Sequence, residues 1–150
     1  MDLELLFWIA HLPALVGWAL LALPGRDGRR IRAARTLGAV LALGYLLLFL
    51  ASGTAGAVLL RDYSLAGLGA FFADPLLRLV GWVHYLAFDL WVGSWEAEEA
   101  DRLGIGPAVL LPSLLLTFML GPVGLLLFLA LSRRSRKAPA VAGGVAETPG

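Results

Sequence analysis

The charges of this chain are distributed so that few environments suit it. Most of its Asp, Glu, Arg and Lys residues fall in four short stretches, 24–36, 61–62, 96–102 and 132–137. The runs between them are long, apolar and nearly free of charge. A charge at the centre of a bilayer costs at least about 2.5 kcal/mol, so this spacing is that of a chain crossing a membrane several times. Only 15% of the 150 residues are charged and 59% are hydrophobic, whereas soluble domains carry roughly 25% charged residues. The expected fold class is all-α, a polytopic integral membrane protein with about four transmembrane helices.

Composition also excludes several kinds of chemistry. The net charge is +1 and there is no basic or acidic domain, so no nucleic-acid partner is expected; membrane lipid is. Without cysteine there is no disulfide, thiolate metal site or cysteine nucleophile. His11 and His84 are the two histidines, too few for a histidine-rich di-iron centre. No phosphate loop, dinucleotide fingerprint, zinc motif or nucleophile elbow is present. No cofactor and no metal are expected.

About 20 apolar residues are needed to cross the roughly 30 Å hydrocarbon layer. Residues 3–23 form a first span, stopped by Pro24-Gly25. Asp2 and Glu4 precede it and the basic cluster follows, the reverse of a secretory signal, so the span is expected to be retained. Residues 26–35 read as a short basic loop, and the second span runs from about Ala33 to Ala51. In 53–74, rich in glycine and interrupted by Arg61-Asp62, an interfacial or re-entrant piece is expected, with Ser64 capping a short helix. Asp74-Pro75 reads as an N-cap followed by proline at the first helical position. The third span follows, from about Pro75 to Ser94. An acidic loop, 96–102, leads to a fourth span at about 107–131. Residues 1–135 are thus one membrane domain, and 136–150 a disordered tail. Lys and Arg divide six to five between the two sides of a four-span chain, so the positive-inside rule does not orient it.

The third span carries the polar residues. On a helix, Tyr85 and Asp89 share a face with Arg78, Trp82 and Glu96. His84 lies about 140° from Asp89, on a stripe with Phe88, Trp91 and Trp95. An acid within a span is a functional candidate by default, and a carboxyl held neutral there suits a general acid or a proton relay. The competing reading makes Asp89 a packing hydrogen bond to another span. His84 fits an interfacial belt as well as a site, and His11, inside the first span, needs a polar partner. Arg78 and Glu96 lie near helix ends, where snorkelling accounts for them. In the fourth span Ser113, Thr117, Gly121 and Gly124 form a small-residue face for close helix packing. Pro122 lacks an N–H and crowds the Phe118 carbonyl. A kink there, facing the polar stripe, would make a pocket.

Two segments go further. GWVHYLAFDLWVGSWE (81–96) and TFMLGPVGLLLFL (117–129), behind two apolar spans, resemble the abscisic-acid-deficient-four-like family. Its most specific elements here are H-x-x-x-x-D-L, His84 to Leu90, and Gly-Pro-Val-Gly, 121–124; the resemblance covers about residues 1–135. Plant members are associated with neoxanthin synthesis from violaxanthin in plastid membranes. The resemblance implies a carotenoid or related isoprenoid ligand and a redox-neutral isomerisation, such as epoxide to allene. Asp89 would be the acid, with His84 or Glu96 as base. Trp82, Tyr85, Phe88 and Trp91, with His11, would line the slot for a flat polyene. A non-catalytic carotenoid or lipid binder assisting a membrane enzyme and a small proton-coupled transporter are the alternatives; a membrane enzyme or a second copy of the chain, in a homo-oligomer, is the expected protein partner. The Ala/Gly/Arg/Leu-rich composition points to a bacterial inner membrane.

Overall fold

A computed structural model describes residues 2–23, 28–53 and 61–137, with the side chains of 134–137 left out. Pro24-Gly25 and residues 138–150 of the expected tail lie outside the described residues. The described chain is entirely helical. In order the helices are α1 (Leu3–Ala22), α2 (Gly28–Ala51), α3 (Leu65–Ala73), α4 (Pro75–Arg102), α5 (Pro107–Leu120) and α6 (Pro122–Lys137).

Local sequence explains the boundaries. Asp2 caps α1 by accepting from the Leu5 amide at 3.1 Å. Ser64 accepts from Gly67 N at 3.1 Å and starts α3, and Asp74 accepts from the amides of Leu76 and Leu77 to start α4 with Pro75 at its head. These caps satisfy amides that have no partner within the helix. α3 meets α4 at 104°, so residues 65–73 turn away from the direction of α4, which suits either an interfacial or a re-entrant piece. Arg78 seals the corner by donating to the carbonyls of Phe72 and Ala73, both at 3.2 Å.

Two expected loops are helix instead. α2 begins at Gly28, so Arg29 to Arg35 belong to its first turns, and α4 continues through the acidic stretch to Arg102. The charges extend both helices past the apolar layer, where Arg35 of α2 grips Glu98 of α4 with N–O distances of 3.2 and 2.6 Å. At 28 residues, α4 is about 42 Å long.

The polytopic helical membrane fold expected from the sequence is what the chain adopts. α1 and α2 are each long and apolar enough to cross a membrane, and α3 with α4 qualifies as a bent pair. α4 is the hub, touching every other helix. Gly17 and Gly38 let α1 and α2 lie close against Leu90 of α4. Their outer faces, with Leu12, Leu15, Leu43, Leu47 and Leu50 exposed, suit lipid.

The fourth apolar run takes an unexpected path. Gly121 adopts φ +45°, ψ −94°, and Pro122 starts a new helix there. The chain reverses rather than kinks: Gly124 lies against the backbone of Thr117 and Ser113, so tightly that a Cβ would strike the Thr117 amide nitrogen. Phe128 of α6 packs edge-on against Trp95 of α4, centroids 5.5 Å apart. Along α4, then, the chain goes from Glu96 at Thr117 to Asp89 at Gly121 and back to Trp95 at Phe128. α5 and α6 form a hairpin whose tip reaches the depth of Asp89.

Because the hairpin returns, Arg133 lies on the same face as Arg102 and the first turns of α2. Among the described residues Arg29, Arg30, Arg32, Arg35, Arg102 and Arg133 then share that face, leaving Arg61 and Arg78 on the other, and the positive-inside rule orients the chain. Single cysteines replacing Arg102 and Arg133 should be labelled from one side of a sealed vesicle and a cysteine replacing Arg61 from the other. Labelling of 61 and 133 from the same side would contradict the reversal. Gly124→Ala should pry the hairpin open and cost about 1–3 kcal/mol as an overpacked site does, read as a lower unfolding temperature in detergent.

Candidate functional site

The polar stripe of α4 has two ends. At the α3 end an aromatic cluster joins α1 to α4. His11 Nδ1 lies 2.7 Å from the Phe7 carbonyl; since a carbonyl only accepts, that nitrogen carries the hydrogen. Nε2 is then free to accept from the Trp82 indole N–H at 3.2 Å. His11 thus spends both ring nitrogens within α1 and on Trp82, and it reaches Asp89 only through neighbours. Trp82 stacks on Tyr85 with centroids 5.5 Å apart and planes 21° from parallel. The Tyr85 hydroxyl in turn lies beside the Asp89 carboxyl one turn along.

Beside this cluster lies a cavity of about 560 Å³ between α1, α3 and α4. Phe7, Phe72, Leu79, Trp82 and Tyr85 form its walls, with Glu4 and Arg78 also lining it. It is mostly apolar with a few polar groups, as sites for small organic ligands are. Tyr85 therefore lies both in the cavity wall and beside Asp89.

At the other end Asp89 and Glu96, seven residues apart, face the α5–α6 hairpin. Glu96 does not snorkel: it is 0% exposed and its Oε1 accepts from Thr117 Oγ1 at 2.9 Å. The surface around it explains this, because the small side chains of Ser113 and Thr117, both fully buried, let α5 close over the carboxyl. A Cβ on Gly121 would lie 3.0 Å from Asp89 Oδ1, so the reversal sits on the Asp89 carboxyl. The partner to Glu96 was hidden in the sequence among residues that read as packing. Its signal is the pairing of two spacings, i, i+7 acids on α4 against i, i+4 small residues on α5.

His84, Phe88 and Trp91 belong elsewhere. His84 stacks on Phe88 at 4.6 Å and meets Tyr45 of α2 edge-on at 5.6 Å. Phe88 and Trp91 flank a groove of about 360 Å³ along α2, and Arg35 lies 5.7 Å over the Trp91 ring. The same guanidinium, bonded to Glu98 and opposite in charge, holds the Glu98 carboxyl below its ordinary value. The four aromatics expected to line one slot are thus divided: Trp82 and Tyr85 face the cavity, Phe88 and Trp91 the α2 groove. Trp95, further along the His84 stripe, packs on Phe128 of α6 instead. Among the described residues no group of three or more metal-ligating side chains occurs.

Thr117→Val removes the hydroxyl that serves Glu96 while keeping the side-chain shape. Leaving a buried carboxyl oxygen unpaired costs about 1–3 kcal/mol, so the variant should unfold at lower temperature in detergent. Glu96→Gln in the same background should recover part of the loss, as an amide is cheaper to leave half-satisfied than an acid.

No curated protein and no solved structure matches the chain. The profile of one family does, ABA DEFICIENT 4-like, over residues 5–128. The match spans α1 to the middle of α6 and takes in both ends of the polar stripe. It supports a membrane location and does not single out a bacterial inner membrane. The chain is a membrane protein and belongs to the ABA DEFICIENT 4-like family.

Proposed function

We propose that this chain binds a carotenoid or related isoprenoid between α1, α3 and α4 and isomerises it by acid–base chemistry without a redox cofactor. The observation that carries the reading is the double position of Tyr85, in the cavity wall and against Asp89. A polar end group entering the cavity meets the Tyr85 hydroxyl with a carboxyl directly behind it. Family membership adds the association of plant relatives with xanthophyll conversion.

The chemistry balances with one proton. In an epoxide-to-allene isomerisation, a proton from Asp89, passed through Tyr85, goes to the epoxide oxygen as its C–O bond breaks. A C–H proton lost from the polyene forms the allene and returns to the carboxylate. The product differs from the substrate only in bonding, and both residues end as they began. His84 lies across the helix from Asp89 and is left out of this scheme. Glu96 stands behind Asp89 rather than in the cavity wall. Trp82, fixed by His11, offers a flat face for a conjugated chain.

Pigment chromatography of carotenoid-producing cells with and without the chain tests the reading. The chain should introduce a pigment of unchanged mass and altered retention. Asp89→Asn keeps the size but carries no acidic proton, and should abolish the new pigment while the protein still inserts. Tyr85→Phe should reduce it about 10²–10⁴-fold, the usual worth of a positioned proton-transfer group. Full conversion by Asp89→Asn would remove the catalytic role. Pigment that co-purifies unchanged would instead establish a binder acting beside another membrane enzyme.

A further inference from the structure

Phe88 and Trp91 stand outside the cavity between α1, α3 and α4, on the seam where α4 meets α2. Among the described helices α2 touches only α1 and α4, so this seam faces outward. Its shape follows from side-chain size. Gly38, Ala39 and Ala42 give α2 a shallow face for just over one turn, and Gly38 lets that face approach the Ala87 backbone. α4 answers with large rings, Phe88 and Trp91, which are 61% and 52% exposed and form one wall. Between them runs the groove of about 360 Å³. It lies parallel to the helices for about 10 Å, from the level of Arg35 to that of Ala42.

The two ends of the groove differ. Toward α3 it is closed by rings, because His84 stacks on Phe88 and meets Tyr45 edge-on. Toward the charged face it opens beneath arginines. The Arg35 guanidinium lies 5.7 Å over the Trp91 ring and is anchored to Glu98 at 2.6 Å. Arg32 is exposed one turn further out. Arg32, Arg35, Ala39 and Ala42 follow one another at spacings of three, four and three residues, which puts them on one face of α2. Among the described residues this side of the molecule carries six arginines against Glu98, Glu99 and Asp101, so positive charge outnumbers negative around the mouth.

We propose that the α2–α4 groove seats one acyl chain of an anionic phospholipid, its phosphate against Arg32 and its chain passing under Arg35 and along Trp91. An acyl chain is narrow and apolar and runs along the bilayer normal, as the groove does. The small side chains of Ala39 and Ala42 leave room for it, and the His84–Phe88 stack stops it. The mouth selects the headgroup. Arginines at the end of a spanning helix attract anionic lipid, whereas a zwitterionic headgroup brings a cation of its own that they repel. An uncharged polyene offers nothing to the mouth. The site does not rest on the polyene reading, because it lies on another side of α4 from the cavity between α1, α3 and α4.

The test titrates the full chain, purified in detergent, with phosphatidylglycerol or with phosphatidylcholine of the same acyl chains, and counts bound lipid by native mass spectrometry. One phosphatidylglycerol should be retained per chain at concentrations where phosphatidylcholine is not. Ala42→Leu fills the groove from an exposed position. It should abolish that retention and leave the unfolding temperature in lipid-free detergent at the parent value. Arg32→Gln should weaken retention about fivefold, the worth of one basic residue at an anionic headgroup. Equal retention of the two lipids would overturn the proposal, and so would an Arg32→Gln variant that binds like the parent. Undiminished retention by Ala42→Leu would assign the lipid to the arginines alone and remove the groove from the site. A dimer of the parent chain that Ala42→Leu dissociates would make the groove a contact between copies, which also ends the proposal. If Ala42→Leu does not fold, Ala39→Leu fills the same groove nearer its mouth and is read in the same way.

Discussion

A carboxyl inside an apolar layer has to be covered by something that can hydrogen-bond, and α4 presents two of them on one side. Leucine-rich helices like α1 and α2 cannot perform this service, and they take the other sides of α4. The cover is built from residues whose side chains are small enough to bring backbone and hydroxyl groups within reach: Ser113, Thr117, Gly121 and Gly124. The reversal at Gly121 follows from the same demand. A straight helix would carry the chain away past Asp89, whereas the hairpin brings Gly124 of α6 back against Thr117 and Ser113, behind the hydroxyl that meets Glu96.

The division of labour along α4 follows from its length. Toward α3 the helix carries rings, and α1 answers with rings and one histidine. Toward Arg102 it carries acids, and α2 answers with Arg35 while α5 answers with hydroxyls. Asp89 belongs to both regions, beside Tyr85 on one side and touching the reversal on the other. Whatever enters the aromatic cavity therefore has a covalently continuous route, one helix face, to the buried acids. That is a short path along which charge in one place alters protonation in the other.

Much of this was legible beforehand because the bilayer enforces it. The apolar runs, the caps at Ser64 and Asp74-Pro75, the stripe from Trp82 to Glu96 and the packing face at Thr117 and Gly121 all follow from periodicity and from the cost of charge in lipid. Helix ends are hard to read where charge resembles a loop. Arg29 to Arg35 and Glu98 to Arg102 are charged because they project beyond the lipid, and they remain helical because nothing there breaks a helix. Glu96 is hard to read for the opposite reason. Its distance from the helix end suggested escape to water, and only the tertiary closeness of α5 shows that the escape is blocked. The reversal itself was hidden, since Gly-Pro within an apolar run is compatible with a kink or a turn. The difference is decided by whether Gly124 can touch Thr117, a contact no linear spacing encodes.

The hairpin also bears on how such a chain enters its membrane. A segment that crosses fully must carry one flank of its sequence through the hydrocarbon, and here that flank would be Arg133, Arg134, Arg136 and Lys137. A segment that dips in and comes out moves none of them. α5 and α6 can be added as a unit after the first three spans have been placed, wedged against an α4 already standing, with no translocation of charge at all. Assembly of this protein then has a natural last step, and it is the step that encloses the two acids.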